Sequence, residues 1–388
     1  AIRQSCWKIG LRLDRLHDTG KETKWPSVQP DKETWRFDDD SINARLETGH
    51  ALLGSIAGIP AWAPRAEKNP RTGKPFAKGN SRSNAGMTNE TFPCWEEYAR
   101  RCAEHWKGRI DQWEITNEPN LSGMTPEDYV LLFNAAARGI RKGNPDATIV
   151  SLGGASPPGT KWVKDAIAAQ ALAHGDVMSF HGYGNTTWTC IPGPESLAAS
   201  VRQLRGFATA AGQPKIRMWD TECGVEVQTF FRKFHVPHGG EPLAAARMFA
   251  KSVAAVRAAG LERVYYYSAA GTTHAGDSGL RCFSDFNGVM KATVVPLAVA
   301  ISLLEGTDFV ERRKGSAEQG VVDLAFRGRG QRVRMLWSLS EDVAVTVPTG
   351  ATRLVSMWGR PVQPKNRTPD IITLSLTDEP VYVLYPDG

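Results

Sequence analysis

Short apolar runs alternate with longer helical patterns through about 300 of the 388 residues of this chain. Strand-length runs that alternate with helices are typical of repeated βα units, which build a parallel sheet. Seven such runs predict strands at 8–14, 51–57, 109–116, 148–153, 177–181, 215–222 and 263–268. Apolar spacing predicts amphipathic helices at 129–142, 161–173, 196–211, 243–259 and 294–304.

The pattern changes from about Gly306 onward. Short Val-, Thr- and Leu-rich runs follow one another, separated by Gly, Pro and Asp, at 320–326, 332–338, 343–347, 353–358, 371–376 and 381–385. Short strands with turn residues between them are typical of an all-β sandwich. The sequence therefore predicts a catalytic unit at 1–305 and an accessory β-sandwich domain at 306–388.

The charge balance is mildly basic. A net charge of +6 and a pI near 9.0 favour anionic partners without identifying one. Four arginines, Arg327, Arg329, Arg332 and Arg334, cluster in the β region, where they form either a solvated strand face or a contact for an acidic glycan. No nucleic-acid recognition motif accompanies the charge, and no apolar run approaches the ~18 residues of a membrane span.

The cysteines and the first residue carry less information. Six cysteines lack the close paired spacing of a zinc site, and they are too few for a disulfide framework. If Cys94 and Cys102 share a helix, they lie about 12 Å apart along its axis, too far for a disulfide. The chain begins with Ala1 and shows no signal peptide, so we expect a processed or trimmed sequence. We expect the protein to be secreted or periplasmic.

Two predicted strands end in a carboxylate. One belongs to the segment 113–119, which contains Glu118, and the other belongs to 217–222, which ends at Glu222. The carboxyl ends of parallel strands meet at one edge of a sheet, so we expect both acids in one cleft. Two carboxylates held across a sugar suffice to cleave a glycosidic bond.

These motifs resemble the clan A glycoside hydrolases, which are (β/α)8 TIM barrels. In that clan an Asn-Glu-Pro motif ends the fourth strand and supplies the acid/base, and a glutamate ending the seventh strand is the nucleophile. By resemblance, Glu118 is the acid/base, Glu222 is the nucleophile and Asn117 binds the sugar 2-OH. Family 39 is most similar, through the motifs 10–12, 35–39, 58–62 and 113–120. Family 5 and the retaining arabinofuranosidases are also similar.

The strand count differs from the clan by one. Glu118 ends the third predicted strand and Glu222 the sixth, so their separation matches the clan but each number is one too low. We infer that the first barrel strand is absent from this sequence and that residues 1–6 end the first barrel helix. Otherwise a separate segment closes the barrel, because seven strands would leave an unpaired edge.

Four further residues are candidate contacts for the substrate. His181 and Tyr183 follow the strand before that of Glu222, where they can hold its orientation, although a buried structural histidine is the alternative. Trp62 and Trp188 are candidate stacking platforms for sugar rings, with core packing as the alternative.

Tyr267 ends the last predicted strand, where the clan commonly has a tryptophan beneath the sugar. Tyr267 or the following loop with His274 substitutes for it. The identity of the sugar stays open for this reason.

Arg12 is predicted to point into the barrel. Gly10, Arg12 and Asp14 alternate with apolar residues that should face the helices. Arg12 would then contact substrate or neutralise a buried acid, with Glu114 or Asp220 as the partner. Asp220 is expected on the same face as Glu222 and is the alternative nucleophile.

The sequence therefore predicts a retaining glycosidase that acts on a β-linked oligo- or polysaccharide, which the basic charge suggests is acidic. No metal or organic cofactor is expected. A catalytically silent carbohydrate-binding protein and a transglycosylase are the alternatives. The polar loop at 69–89 either walls a cleft or caps a pocket.

Overall fold

The computed structural model describes residues 2–17, 20–76, 84–155, 159–182, 194–223, 242–267, 269, 283–284, 289–313, 320–339 and 342–387. Seven strands within these ranges form one parallel sheet in chain order. They are β1 (Leu13–Arg15), β2 (Ala51–Ile56), β3 (Gln112–Ile115), β4 (Thr148–Ser151), β5 (Val177–His181), β6 (Arg217–Cys223) and β7 (Arg263–Tyr266). Each overlaps a predicted strand, although β1 shares just Leu13 and Asp14 with the predicted strand at 8–14, and Lys8 belongs to a helix.

Helices separate the strands. They are α1 (Ile2–Lys8), α2 (Trp25–Val28), α3 (Asp39–Leu46), α4 (Thr91–His105), α5 (Pro126–Gly143), α6 (Lys161–Ala168), α7 (Pro194–Ala210), α8 (Pro242–Ala258) and α9 (Val295–Leu304). The start of α5 shows how the sequence sets a boundary. Thr125 accepts a hydrogen bond from the backbone of Asp128 at 3.2 Å, and Pro126 occupies the first helical position, where its missing N–H costs nothing.

The sheet curves around an inner apolar layer. Its members come one from each of six strands: Leu13, Leu53, Val150, Val177, Trp219 and Tyr265. Side chains from non-adjacent strands can meet only inside a curved sheet, so these positions point inward. Since strand side chains alternate, Arg15 on β1 also points inward, one step nearer the carboxyl ends.

The two ends of the strand order approach each other. A cavity of about 850 Å³ lies where β1 faces β7, and its lining includes residues of α1 together with Glu222 and Tyr267. The helical prediction for the first residues is confirmed by α1. The near-barrel with its surrounding helices confirms the predicted fold class.

The C-terminal region forms two antiparallel sheets. One has the order β12 (Arg353–Ser356), β15 (Val381–Pro386), β10 (Gln331–Ser338), β9 (Val321–Gly328), β8 (Asp308–Arg312), and the other has β11 (Val343–Pro348), β14 (Ile371–Leu376), β13 (Asn366–Arg367). One face of the larger sheet shares an apolar cluster with α8 and α9, and the other face packs on the smaller sheet. This packing fixes the β region to the barrel helices. The boundary at residues 305 and 306 stays a prediction.

In the part of the chain that the structure describes, no helix combines the length and apolarity that a bilayer crossing requires.

Candidate active site

The chain after β3 adopts an unusual backbone that presents Asn117 and Glu118. Thr116 has a φ of 66° and Glu118 a φ of 44°, both in the left-handed region that costs non-glycine residues energy. Two backbone hydrogen bonds to neighbouring segments hold this conformation. The backbone N–H of Thr116 donates to the Ile56 carbonyl at 2.8 Å, and the backbone N–H of Glu118 donates to the Gly153 carbonyl at 2.7 Å. The Glu118 side chain is 13% exposed, so it reaches the surface of the cleft.

A bulge in β6 orients Glu222. Asp220 pairs with Phe180 on β5, and the next pair is Glu222 with His181, so Thr221 is an extra residue in β6. A bulge turns the following side chain to another direction. Consequently Thr221 points inward, where its hydroxyl lies 2.7 Å from Glu114, and Glu222 is directed to the cleft with 14% of its side chain exposed.

His181, which is fully buried at the end of β5, contacts both predicted catalytic acids. Its Nδ1 lies 3.1 Å from Oε1 of Glu118, and its Nε2 lies 3.8 Å from Oε2 of Glu222. Burial disfavours the imidazolium, but the charge of Glu222 and the hydrogen bond with Glu118 outweigh it and raise the pKa of His181. One imidazole therefore joins the two carboxylates across the cleft.

The loop after β4 leaves space for this imidazole. Gly154 has a φ of 67°, and a Cβ at this position would overlap Nε2 of His181. Glycine is therefore required both by the backbone conformation and by the close approach of the ring.

Arg15 is the functional residue that sequence reasoning missed. Its three nitrogens each bind a different partner: Nε donates to Glu114 at 2.6 Å, Nη1 to Glu222 at 2.9 Å and Nη2 to Asn117 at 2.6 Å. The Arg15 side chain is 7% exposed. A planar guanidinium with three fixed donors sets the orientation of both Glu222 and Asn117.

The prediction that Arg12 points inward is wrong. Arg12 is half exposed and pairs with Glu305 at 3.2 Å, and its guanidinium lies over the ring of Trp7. The alternation along β1 was correct, but the inward set is Leu13 and Arg15. The expected partner role belongs to Arg15, which binds Glu114.

Asp220 does not share the face of Glu222, so that prediction is also wrong. The bulge at Thr221 changes the alternation between them. Asp220 is 2% exposed and accepts a hydrogen bond from the Gly182 backbone at 3.0 Å. Burial raises its pKa to about 7, although the Gly182 bond and the charge of His181 act in the opposite direction.

The aromatic candidates have different outcomes. Trp62 is half-buried, packs edge-to-face on Trp25 with ring centroids 5.6 Å apart, and donates to the Gln29 carbonyl at 3.0 Å. Tyr267 is half-buried and lines the cavity that reaches Glu222. The platform roles of both stay predictions. Tyr183, Trp188 and His274 lie outside the described residues.

The four arginines of the β region each have a partner. Arg334 binds Asp323, Arg327 binds Asp387 at 2.7 Å, Arg329 donates to the Glu305 carbonyl, and Arg332 lies over the ring of Tyr385. These contacts favour the interpretation of the cluster as a structural strand face over that of a glycan contact.

The described cysteines are free thiols. Cys94 and Cys102 both lie in α4, and Cys6 and Cys223 are the others. Within the described ranges, no group of three or more His, Cys, Asp or Glu side chains is arranged to hold a metal ion.

The curved parallel sheet with its surrounding helices and the appended β region form a fold that is similar to that of solved glycoside hydrolases. Comparison with solved structures confirms this fold. A family 39 glycoside hydrolase from the gut symbiont Bacteroides cellulosilyticus WH2 superposes with a TM-score of 0.75 at 19% identity, covering 99% of this chain and 77% of that one.

Two xylan-related structures are also similar. A monomeric β-xylosidase from Caulobacter crescentus CB15 has a TM-score of 0.66 at 15% identity, covering 100% of this chain and 92% of that one. A family 30 endoxylanase from Clostridium papyrosolvens C71 has a TM-score of 0.62 at 14% identity, covering 99% and 92%. The sequence matches no protein-family model, and no curated protein matches it. At these identities the similarity establishes the fold.

Proposed function

We propose that this protein is a retaining glycoside hydrolase that cleaves a β-linked oligo- or polysaccharide through a glycosyl-enzyme intermediate. One observation carries the proposal: Glu118 and Glu222 both lie next to the imidazole of His181, but their surroundings differ. Glu118 is hydrogen-bonded to His181, whereas Glu222 is paired with the permanent cation of Arg15. Two neighbouring carboxylates in unlike environments are the arrangement that separates a nucleophile from an acid/base.

Glu222 acts as the nucleophile. Its hydrogen bond with Arg15 at 2.9 Å fixes the direction of its carboxylate. Attack of one oxygen on the anomeric carbon forms the glycosyl ester as the leaving oxygen departs. The orientation supplied by Arg15 lowers the entropic cost of reaching this geometry.

Glu118 acts first as the acid and then as the base. Its proton passes to the glycosidic oxygen as the bond to the leaving group breaks, and the carboxylate then takes a proton from the water that cleaves the ester. His181 lies 3.1 Å from Glu118 and retains it in the cleft through both steps.

Asn117 is oriented to bind the sugar 2-OH. Its Oδ1 accepts from Arg15 at 2.6 Å, which directs the amide Nδ2 away from Arg15 as a donor. A donor to the 2-OH strengthens as positive charge develops at the neighbouring anomeric carbon.

The first substrates to test are β-xylosides and xylo-oligosaccharides, because two structures of the same fold are a β-xylosidase and an endoxylanase. Other aryl β-glycosides and acidic polysaccharides form the comparison panel. A polymeric substrate cannot cross a membrane, so we place the enzyme outside the cytoplasm.

The experiment that tests this proposal uses Glu222→Ala with an aryl β-glycoside. Loss of the nucleophile should lower kcat by about 10⁴-fold or more. Azide should restore turnover, because it occupies the space of the missing carboxylate, and the product should be a glycosyl azide of inverted configuration. Glu262→Ala, which removes a half-exposed glutamate paired with Arg217, is the matched control and should retain activity.

Glu118→Ala completes the test. General acid catalysis contributes about 10²- to 10⁴-fold, so the loss in kcat/KM should grow as the leaving group becomes poorer. Full activity of Glu222→Ala, or an equal loss of Glu118→Ala across leaving groups, would remove these residues from the assigned roles.

A further inference from the structure

Glu114 is a buried acid beneath the site that the mechanism above does not use. Its side chain is 0% exposed. Its Oε2 accepts from Arg15 at 2.6 Å, and its Oε1 lies 2.8 Å from the Ser179 hydroxyl and 2.7 Å from the Thr221 hydroxyl. Strands β1, β5 and β6 therefore each place a polar group on one carboxylate of β3.

Such a carboxylate is costly to bury, and it cannot touch a sugar. Removing an ion from water costs several kcal/mol unless charged and polar partners replace the water. Stability alone does not require the Glu114–Arg15 pair, because replacing both side chains by apolar ones of similar size would avoid the desolvation cost. The contacts of Glu114 instead connect it to Arg15, which holds Glu222.

The charges explain what this connection does. Arg15 carries one positive charge and contacts two carboxylates, Glu114 and Glu222. If Glu222 were its sole carboxylate partner, the cation would cancel most of the negative charge that attacks the anomeric carbon and would repel the oxocarbenium. With Glu114 on the opposite side, the three groups sum to one negative charge.

We propose that Glu114 is a positioning residue that binds Arg15, so that Arg15 orients Glu222 without neutralising it. This inference rests on the proposed function. Glu114 fixes the Nε side of the guanidinium, which leaves Nη1 and Nη2 directed at Glu222 and Asn117. The hydroxyls of Ser179 and Thr221 in turn hold the rotamer of Glu114.

The test replaces Glu114 by glutamine, which keeps the size and removes the charge. In Glu114→Gln, kcat/KM for an aryl β-glycoside should fall about 10- to 100-fold, the factor for losing one hydrogen bond to a charged group. KM should change little, because Glu114 does not touch substrate, so the loss should appear in kcat under conditions where glycosylation is rate-limiting.

The pH profile distinguishes positioning from general stability. With Glu114 neutral, Arg15 pairs more strongly with Glu222, so the acidic limb of kcat/KM should move to lower pH. The other titratable groups around Glu222 are unchanged in the variant: His181 from β5, Asp220 and Cys223 from β6, and Glu118 from the end of β3.

A double-mutant cycle with Arg15→Met tests whether Glu114 acts through the arginine. In the Arg15→Met background, Glu114→Gln should change neither kcat/KM nor the acidic limb, because the group that transmits its effect is absent. Asp323→Asn is the matched control, since it removes a buried acid from an arginine pair in the β region and should alter stability but not the profile.

Ser179→Ala combined with Thr221→Val is the milder variant if Glu114→Gln does not fold. It loosens Glu114 and should lower kcat/KM in the same direction. The inference is overturned if the folded variants keep the wild-type acidic limb and kcat/KM, or if Glu114→Gln has the same effect with and without Arg15. Failure of Glu222→Ala to lose activity would instead overturn the proposed function.

Discussion

The barrel and the β region each contain a buried arginine, and the two are used differently. Arg334 directs Nε and Nη2 to one carboxylate, Asp323, and both side chains are nearly inaccessible. Arg15 is equally buried, but it divides its nitrogens among Glu114, Glu222 and Asn117. In the first arrangement both donating nitrogens bind one carboxylate, which Arg313 also approaches at 3.8 Å, so the charges are compensated within the β region. In the second arrangement one guanidinium is shared by three side chains, and two of them, Glu222 and Asn117, lie at the cleft.

This difference indicates how to separate a structural ion pair from a functional one. The Arg334–Asp323 pair contacts no group of the cleft. Its removal should therefore change the stability of the fold and not catalysis. Arg15 orients Glu222 and Asn117, whose other atoms reach the cleft. Its removal should therefore change the reactivity of these side chains.

Arg15→Met should have the largest effect on catalysis. Without the arginine, Glu222 and Asn117 lose their common donor, and we expect kcat/KM to fall about 10³-fold, the loss typical of removing a preorganised electrostatic contact. Arg334→Met should leave the kcat/KM of the folded protein unchanged. It should lower the free energy of unfolding by about 3 to 5 kcal/mol, because Asp323 remains buried and loses its hydrogen-bonded cation, while Arg313 stays 3.8 Å away.

Steady-state kinetics and urea unfolding on both variants check this prediction. Wild-type kcat/KM in Arg15→Met, or a loss of kcat/KM in fully folded Arg334→Met, would break the comparison between the two arginines.

Asp220→Asn should change how stability depends on pH. The raised pKa of Asp220, about 7 against the ordinary 3.8, means that the folded state keeps its proton in this interval while the unfolded state loses it. Its contribution to stability is therefore complete below about pH 4 and is lost as pH rises to 7. At 1.36 kcal/mol per pH unit, the loss amounts to at most about 4 kcal/mol.

Asparagine can still accept the Gly182 hydrogen bond but does not ionise, so the variant should lose less stability between pH 4 and 7 than the wild type. Urea unfolding at pH 4, 5.5 and 7 measures this difference. The pKa of His181 is also raised, so its contribution to stability likewise decreases as the pH rises through that pKa. This contribution is present in both the wild type and the variant. Parallel stability curves would show that Asp220 is ionised in the folded state.

The sequence indicated much of this fold because its signals are local. Apolar runs marked all seven parallel strands, and the Thr125-Pro126 start of α5 follows from capping chemistry. The short elements α2 and α3 and the edge strands β8 and β13 were missed for lack of a clear period, and the amphipathic α4, with 15 residues, was also missed. Edge strands pair on one side and carry little apolar pattern.

In the site, Glu118 and Glu222 were predicted from their strand ends and lie next to the same histidine, but Arg15 was missed and Asp220 misplaced. The reason is register. A strand of three residues has too few alternations to show which set faces inward, and the bulge at Thr221 exists only because β5 and β6 pair out of step. Pairing between strands that are distant in sequence determines both the inward face of β1 and the bulge in β6. A local sequence pattern cannot predict such pairing.

Arg12→Ala should have the smallest effect of these substitutions and completes the comparison of arginines. Arg12 lies three residues before Arg15, but it is 51% exposed and pairs with Glu305 on the protein surface. Exposed ion pairs contribute about 0 to 1 kcal/mol because water screens them. We therefore expect wild-type kcat/KM and a change in unfolding free energy within that range. A loss of kcat/KM comparable to that of Arg15→Met would show that the inward register of β1 includes Arg12, and the assignment of Arg15 would then fail with it.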